Sequence, residues 1–143
     1  MGEYTHAIDA KGRVILPADF RAELGVSFVI TKGLDKCLFL YAQAEWEELA
    51  SRLRSLPLVK PEARAIARFF FSSARTLECD KQGRFLVPAP LRNYAGIALR
   101  QDVVLAGTDS RIEVWAKDAW AAYTQEVEPD AAAIAATLAG LGI

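Results

Sequence analysis

The chain has 143 residues, of which 52% are hydrophobic and 24% charged, and its net charge is −1. This composition excludes a disordered chain, and the apolar runs are shorter than the roughly 18 residues that a membrane-spanning helix needs. The first 13 residues lack the layout of a signal peptide, and two cysteines with one histidine give no metal-ligand spacing. We therefore expect one folded, cytoplasmic body without a membrane, metal or cofactor partner.

The first predicted element is a β-hairpin. Two short β-rich runs, YTHAI at 4–8 and RVILP at 13–17, flank the turn sequence DAKG. Aspartate caps such a turn, and glycine adopts the positive φ that a tight turn requires. We expect the two strands to pair with each other and to place Asp9 and Arg13 at the tip.

A short helix, a second strand pair and a longer helix complete this first unit. The helix ADFRAEL at 18–24 follows a proline and is closed by a glycine. The runs SFVIT at 27–31 and CLFLY at 37–41 flank a Gly-x-Asp turn, which predicts a second pair of strands. A helix is predicted over 44–56.

The segment PEARAIARFFFSSA at 61–74 predicts an amphipathic helix that links two halves of the chain. Proline lies in its first turn, and its apolar residues recur on one face. Phe69, Phe70 and Phe71 are expected to pack between helices or subunits. Stacking on nucleic-acid bases is the alternative.

From Asp80 the chain repeats its first unit. DKQGRFLVPAPLRNYAG at 80–96 aligns with DAKGRVILPADFRAELG at 9–25, and the similarity continues into a helix at whose start Trp120 matches Trp46. Both tryptophans are expected in the core. The second unit should therefore contain a hairpin around its DKQG turn, a helix over 89–95, strands over 102–106 and 111–115, and a helix over 117–127.

The repeat predicts the architecture. Four short strands cannot bury both faces of a sheet alone, whereas two units interlocked about a pseudo-twofold axis can close into a small barrel. We expect an α+β, mainly β fold of two tandem modules with flanking helices. The predicted divisions are a first module at 1–56, a linking helix at 57–73, a second module at 74–128 and a helical tail at 129–143.

Charge is concentrated in the middle of the chain. Between Lys60 and Arg100 there are eight basic and three acidic residues. This bias favours a localised anion-binding surface, and a solvated charged face is the alternative. An aspartate and an arginine four positions apart can also simply pair across their turn, so a purely structural role for both motifs stays open.

The doubled D-x-x-G-R motif, at Asp9 with Arg13 and at Asp80 with Arg84, resembles the MraZ family of bacterial transcriptional regulators. The flanking segments ILPADFR, LVPAPLR, GLDKCLFLY and ARFFFSSA are similar as well, so the resemblance covers nearly the whole chain. It implies a fold similar to AbrB-type swapped-hairpin barrels and a ring-like homo-oligomer, with eight subunits expected. It also implies a nucleoid-associated protein that binds double-stranded DNA at short repeats upstream of its own division and cell-wall gene cluster.

The resemblance places the family's D-x-x-x-R motif at both turns, and we expect at least one of them, with the first favoured, to contact DNA. Arginine can bind the O6 and N7 atoms of guanine, or a phosphate, with two parallel donors. We expect Arg13 to read DNA, Lys11 to contact phosphate and Asp9 to position the arginine. The candidate DNA-binding residues are Asp9, Lys11, Arg13, Asp80, Lys81 and Arg84, with Arg21, Arg75 and Arg92 as possible neighbours.

Two other classes of function compete with DNA binding. An enzyme is not expected, because the sequence offers no phosphate cradle and no nucleophile paired with a base. The stronger alternative is an antitoxin-like or scaffolding protein-interaction module in which the D-x-x-x-R turns are structural. Salt dependence separates the two, because phosphate contacts weaken steeply with salt and an apolar protein interface does not.

Overall fold

The computed structural model describes residues 1–138, 140 and 142. They form eight strands and six α-helices, with 3₁₀ turns at Leu34–Lys36 and Glu128–Asp130. In chain order the elements are β1 (Gly2–Ala7), β2 (Arg13–Ile15), α1 (Ala18–Leu24), β3 (Ser27–Lys32), β4 (Leu38–Ala42), α2 (Gln43–Arg54), α3 (Pro61–Ser73), β5 (Arg75–Glu78), β6 (Arg84–Leu86), α4 (Ala89–Ala95), β7 (Asp102–Gly107), β8 (Ile112–Ala116), α5 (Lys117–Val127) and α6 (Ala131–Ala136).

The strands form one antiparallel sheet and one separate ribbon. The sheet has six strands in the order β1-β7-β8-β4-β3-β5, and β2 pairs with β6 in a two-stranded antiparallel ribbon. The order is symmetric about the central β8–β4 pair, so each strand of the first unit has an equivalent strand of the second unit on the other side of the centre. The edge strands β1 and β5 are therefore equivalent, as are β7 and β3, β8 and β4, and the two strands of the ribbon.

The hairpins predicted around the DAKG and DKQG turns are wrong, although both turns form, whereas the predicted strand pairs β3–β4 and β7–β8 are confirmed. β1 pairs with β7 over its whole length, and β2 pairs with β6, so the strands on either side of each turn have partners in the other unit. The exchange places the side chains of Val14 and Phe85 opposite each other in the ribbon, where both are buried. A tight-turn sequence between two β-rich runs favours local pairing. Strand periodicity identifies the strands but does not show which strands pair with each other.

The α+β class is confirmed, but the described structure is not mainly β. Its strands are only three to six residues long, whereas α3 alone has 13 residues. The helices contain more residues than the strands because they must cover both faces of the sheet.

The sheet is buried on both faces by two separate apolar cores. Along β4, Leu38 and Leu40 point into the first core, whereas Phe39 and Tyr41 point into the second. The first core lies between the sheet, the ribbon and the helices α1 and α4. The second core lies beneath α2, α3 and α5. Burial of each such side chain contributes about 1.5–3 kcal/mol, so the ribbon is anchored to the sheet by its inward residues.

The linking helix α3 packs into the second core. Phe70 is buried and its ring stacks on Phe39 with a centroid distance of 6.5 Å, and the Phe69 ring contacts Tyr94 edge-on at 5.9 Å. Packing is therefore confirmed for these two rings. Phe71 is 38% exposed, and its ring also packs between helices, edge-on against Trp46 of α2 at 5.9 Å.

The two tryptophans are less buried than predicted, and the tail is partly helical. Trp46 and Trp120, which were predicted in the core, are only partly buried at its rim. The tail forms the 3₁₀ turn and α6, and its residues 139, 141 and 143 lie outside the described residues. Among the described helices none is long and apolar enough to cross a bilayer.

Candidate nucleic-acid interface

The first turn is organised around the carboxylate of Asp9. Its Oδ1 accepts hydrogen bonds from the backbone N–H groups of Lys11 and Arg13, both at 2.9 Å, and its Oδ2 accepts one from Arg13 Nε at 2.8 Å. Gly12 has a φ of 85°, which a residue with a side chain rarely adopts. One carboxylate therefore fixes both the backbone of the turn and the orientation of its arginine.

The second turn repeats this geometry. Asp80 Oδ1 accepts from the N–H groups of Gln82 at 2.9 Å and Arg84 at 3.0 Å, and Oδ2 accepts from Arg84 Nε at 2.9 Å. Gly83 has a φ of 77°. The repetition of all three hydrogen bonds and of the glycine conformation explains why aspartate, glycine and arginine recur at the same spacing.

Both aspartates are held in the ionised form. The backbone N–H of Arg13, with smaller contributions from the Arg13 side chain and the Lys11 N–H, lowers the pKa of Asp9 to about 2. The pKa of Asp80 is lowered first by the backbone N–H of Arg84 and next by that of Gln82. At neutral pH each carboxylate is therefore a permanent acceptor for its arginine.

The two arginines differ in how many of their donors remain available. Arg84 Nη2 donates to the side-chain oxygen of Gln82, and Arg84 Nη1 lies 3.9 Å from Asp9 Oδ2. Arg13 makes its side-chain hydrogen bond through Nε, and within the described residues its two Nη atoms have no protein partner. The Arg13 guanidinium is thus held at one edge, and its two terminal nitrogens can bind a ligand.

Two further arginines pack against the glycines of these turns. Arg21 of α1 lies against Gly83, where an added Cβ would collide with its Nη1, and Arg92 of α4 has its Nε 3.2 Å from the position of a Cβ on Gly12. The contacts cross between the units, because each helix supports the turn of the other unit. Arg75 lies elsewhere, exposed on β5, and its Nη1 donates to the Ala74 carbonyl at 3.2 Å.

The candidate residues thus form one basic surface. The lysines Lys11 and Lys81 are exposed, and the arginines Arg13 and Arg84 are partly exposed. With Arg21 and Arg92 this surface carries six positive side chains, against the two carboxylates of Asp9 and Asp80 that hold the turns together. Such a surface suits an anionic ligand.

Sequence reasoning missed three residues of this surface, namely Ile15, Leu86 and Gln82. The ribbon alternates between an inner face, with Val14 and Phe85, and an outer face that carries Ile15 and Leu86 beside the arginines. The period-2 alternation of RVI and RFL contained this signal. The interaction of Gln82 with Arg84 could not be predicted, because the equivalent residue of the first turn is a lysine.

Each unit also matches a known family of proteins. A sequence model described as "MraZ protein, putative antitoxin-like" matches residues 1–69 and again residues 70–141. This chain belongs to the MraZ family. Each MraZ match contains one of the two turns, so the doubled motif belongs to a repeat that the family model detects independently.

Similar MraZ proteins align over the full length of the chain. One from Desulfitobacterium hafniense is 54% identical over 143 residues, which cover 100% of this chain and 99% of the relative. One from Acetivibrio thermocellus is 51% identical over 142 residues, which cover 99% and 98% of the two chains. Both relatives carry the name "Transcriptional regulator MraZ".

Cys37 lies away from the basic surface, whereas Cys79 directly precedes Asp80 of the second turn. Cys37 is buried in the second core, its Sγ donates to the Leu34 carbonyl, and burial raises the pKa of its thiol to about 12. Cys79 is partly buried beside the first core. Among the described residues no three metal-ligating side chains are grouped.

Proposed function

We propose that this chain is a sequence-specific DNA-binding transcriptional regulator, not an enzyme. Membership of the MraZ family and the name that its relatives carry support regulation of transcription. We further propose that its target is a set of short repeats in the promoter of its own division and cell-wall gene cluster. This target rests on the family resemblance alone.

The observation that carries the proposal is that the two Nη atoms of Arg13, on a guanidinium that Asp9 already orients, have no partner among the described residues. A planar guanidinium with two parallel donors matches the O6 and N7 acceptors of guanine in the major groove. Orientation by Asp9 reduces the conformational entropy that the arginine loses on binding. In this proposal Arg13 reads a base, Lys11 and Lys81 contact phosphates, and Arg84 supports the surface through its bonds to the turns.

The low net charge fits a protein that uses several weak contacts at once. We propose a ring-like homo-oligomer, with eight subunits as the expected number, whose copies engage successive repeats in DNA. Linked contacts gain by effective concentration without any increase in the affinity of each subunit. We also propose that the two modules, at 1–56 and 74–128, close a swapped-hairpin barrel, with the linking helix and tail outside it. A nucleoid-associated cytoplasmic location follows from the same proposal.

Fluorescence anisotropy at several salt concentrations tests DNA binding. The probes are DNA from upstream of the gene and a scrambled sequence of equal length. We expect Arg13→Ala to weaken binding to the upstream DNA by about 5- to 150-fold, which is the range for a lost bidentate arginine contact. The control is Arg68→Ala, which removes the same charge from an exposed site on α3, over the second core.

The affinities of the wild-type protein for the two DNA sequences test the proposal first. Tighter binding to the upstream DNA, with a salt slope of about −0.9 for each phosphate contacted, supports it. Equal affinity for both sequences, or equal losses for Arg13→Ala and Arg68→Ala, contradicts it. Light scattering on each variant separates loss of DNA contact from loss of assembly.

A second candidate function is an antitoxin-like protein-interaction module. A groove of about 250 Å³ between α2 and α3 is lined by Leu53, Leu56, Leu58 and Phe71. Leu58 is 78% exposed, so an apolar partner segment has a surface to bind there. Binding of a partner protein that is insensitive to salt, combined with no preference for the upstream DNA, favours this candidate.

A further inference from the structure

The outer face of the ribbon combines two arginines with two exposed aliphatic side chains. In the β2–β6 register Arg13 is opposite Leu86, and Ile15 is opposite Arg84. The central pair, Val14 with Phe85, points inward and is buried. The four outward side chains therefore form a square with an arginine and an aliphatic residue alternating around it.

The aliphatic side chains of this square are not needed for the core. Ile15 is 45% exposed and Leu86 is 50% exposed, which exceeds every other valine, leucine and isoleucine on the described strands. Each lies at the equivalent position of its own unit, two residues after the arginine of the motif. Two exposed apolar residues at matching places between cationic groups indicate a surface that contacts a ligand with both apolar and anionic parts.

Duplex DNA is the ligand with this combination. Its major groove is about 12 Å wide and admits a two-stranded β-ribbon, and the 5-methyl group of thymine is the apolar feature on its floor. Opposite Cβ atoms in the ribbon are about 5 Å apart, and residues i and i+2 are about 6.6 Å apart along a strand. The second distance corresponds to about two base-pair steps of 3.4 Å.

We propose that Ile15 and Leu86 are specificity-determining residues that contact thymine methyl groups within about two base pairs of a guanine bound by Arg13. This inference rests on the proposed DNA-binding function and adds the ribbon as the element that enters the major groove. It predicts that the preferred repeats contain thymine near guanine. The arginine supplies the hydrogen bonds, and the aliphatic pair distinguishes thymine from cytosine.

A second copy of the chain is a poorer occupant of this face. A self-complementary contact would bring the arginines of two copies together, and the nearby carboxylates of Asp9 and Asp80 are already bonded within their own turns. DNA phosphates supply the negative charge that such a contact lacks. Charge complementarity therefore favours DNA over self-association.

Replacement of thymine by deoxyuridine tests the inference with the wild-type protein. The exchange removes only the 5-methyl group and keeps base pairing. Upstream DNA is prepared with thymidine or with deoxyuridine throughout, and affinity is measured by fluorescence anisotropy for the wild type, Ile15→Ala and Leu86→Ala. Each lost methyl contact is expected to weaken wild-type binding about four-fold.

The decisive result is whether the alanine substitutions reduce the ratio of affinities for thymidine and deoxyuridine DNA. Ile15→Ala and Leu86→Ala should each bind the thymidine DNA more weakly than the wild type. Each should lose the roughly four-fold share of the discrimination against deoxyuridine that its own methyl contact contributes. Leu34→Ala is the matched control, because Leu34 is 53% exposed in the turn between β3 and β4. It should retain the full wild-type discrimination.

Failure of this inference differs from failure of the proposed function. A wild type that prefers the upstream DNA but binds its thymidine and deoxyuridine forms equally overturns the role of Ile15 and Leu86 and leaves DNA binding intact. Undiminished discrimination in both alanine variants overturns it as well. A change of oligomeric mass in Ile15→Ala, with discrimination unchanged, assigns the face to a second copy instead. Absence of any preference for the upstream DNA rejects the proposed function itself.

Discussion

Truncation of Phe85 is expected to weaken the packing of the ribbon on the sheet and to lower the free energy of unfolding. The Phe85 side chain is 1% exposed, and its ring contacts Phe28 of the sheet edge-on with a centroid distance of 6.0 Å. Phe85→Ala therefore removes a fully buried ring and leaves a cavity in the first core, at a cost of about 3–5 kcal/mol in the free energy of unfolding. For a chain of this length that loss lowers the Tm by roughly 10–15 °C.

Leu86→Ala is the matched control on the next residue of the same strand. Leu86 points outward and is half exposed, so its truncation should cost only about 1 kcal/mol. Urea denaturation at one fixed protein concentration, followed by tryptophan fluorescence, gives both values. Equal losses for Phe85→Ala and Leu86→Ala would refute the packing of the ribbon on the sheet and, with it, the assignment of an outer face.

Three other predictions concern the turns, the second core and the thiols. The pKa of Asp9 is about 2 in the fold against about 3.9 in an unfolded chain, so its contribution to stability is complete above about pH 5 and is lost as the pH falls towards 2. Asp9→Asn should flatten that part of the pH profile of the urea midpoint, and an unchanged profile contradicts the hydrogen bonds of the turn. Glu113 is 9% exposed and accepts bonds from Arg111 at 2.8 and 3.0 Å and from Trp115 at 3.0 Å, so Glu113→Ala should cost about 2–3 kcal/mol in urea denaturation, with Glu113→Gln milder. The buried Cys37 thiol, with its pKa raised to about 12, should resist Ellman's reagent at pH 8 until the protein unfolds, and rapid reaction of both thiols in the native state would disprove its burial.

The elements were largely predictable because local signals specify them. The doubled motif located both turns, and the hydrogen bonds of Asp9 and the positive φ of Gly12 are the ones that aspartate and glycine supply in tight turns. Helix α3 begins at Pro61 as predicted and ends within one residue of the expected position. Side chains close in sequence determine these features.

The partners of the strands that flank the two turns were not predictable in the same way, although the predicted pairs β3–β4 and β7–β8 form. β1 and β2 follow each other in the chain, yet each pairs with a strand of the other half, where Val14 lies buried opposite Phe85. That choice depends on long-range packing, which periodicity does not report. The difference between Arg13 and Arg84 also needed the structure, since it depends on Gln82 and on the approach of Arg84 to Asp9 across the ribbon.

The central claim is that Arg13 reads DNA by two parallel hydrogen bonds and not merely by its charge. Its most direct test is the ratio of affinities for upstream and scrambled DNA in Arg13→Lys and Arg84→Lys, both of which keep the positive charge. We predict that Arg13→Lys lowers this ratio by at least about five-fold without changing the salt slope, and that Arg84→Lys lowers it less. A ratio in Arg13→Lys equal to that of the wild type would contradict the claim.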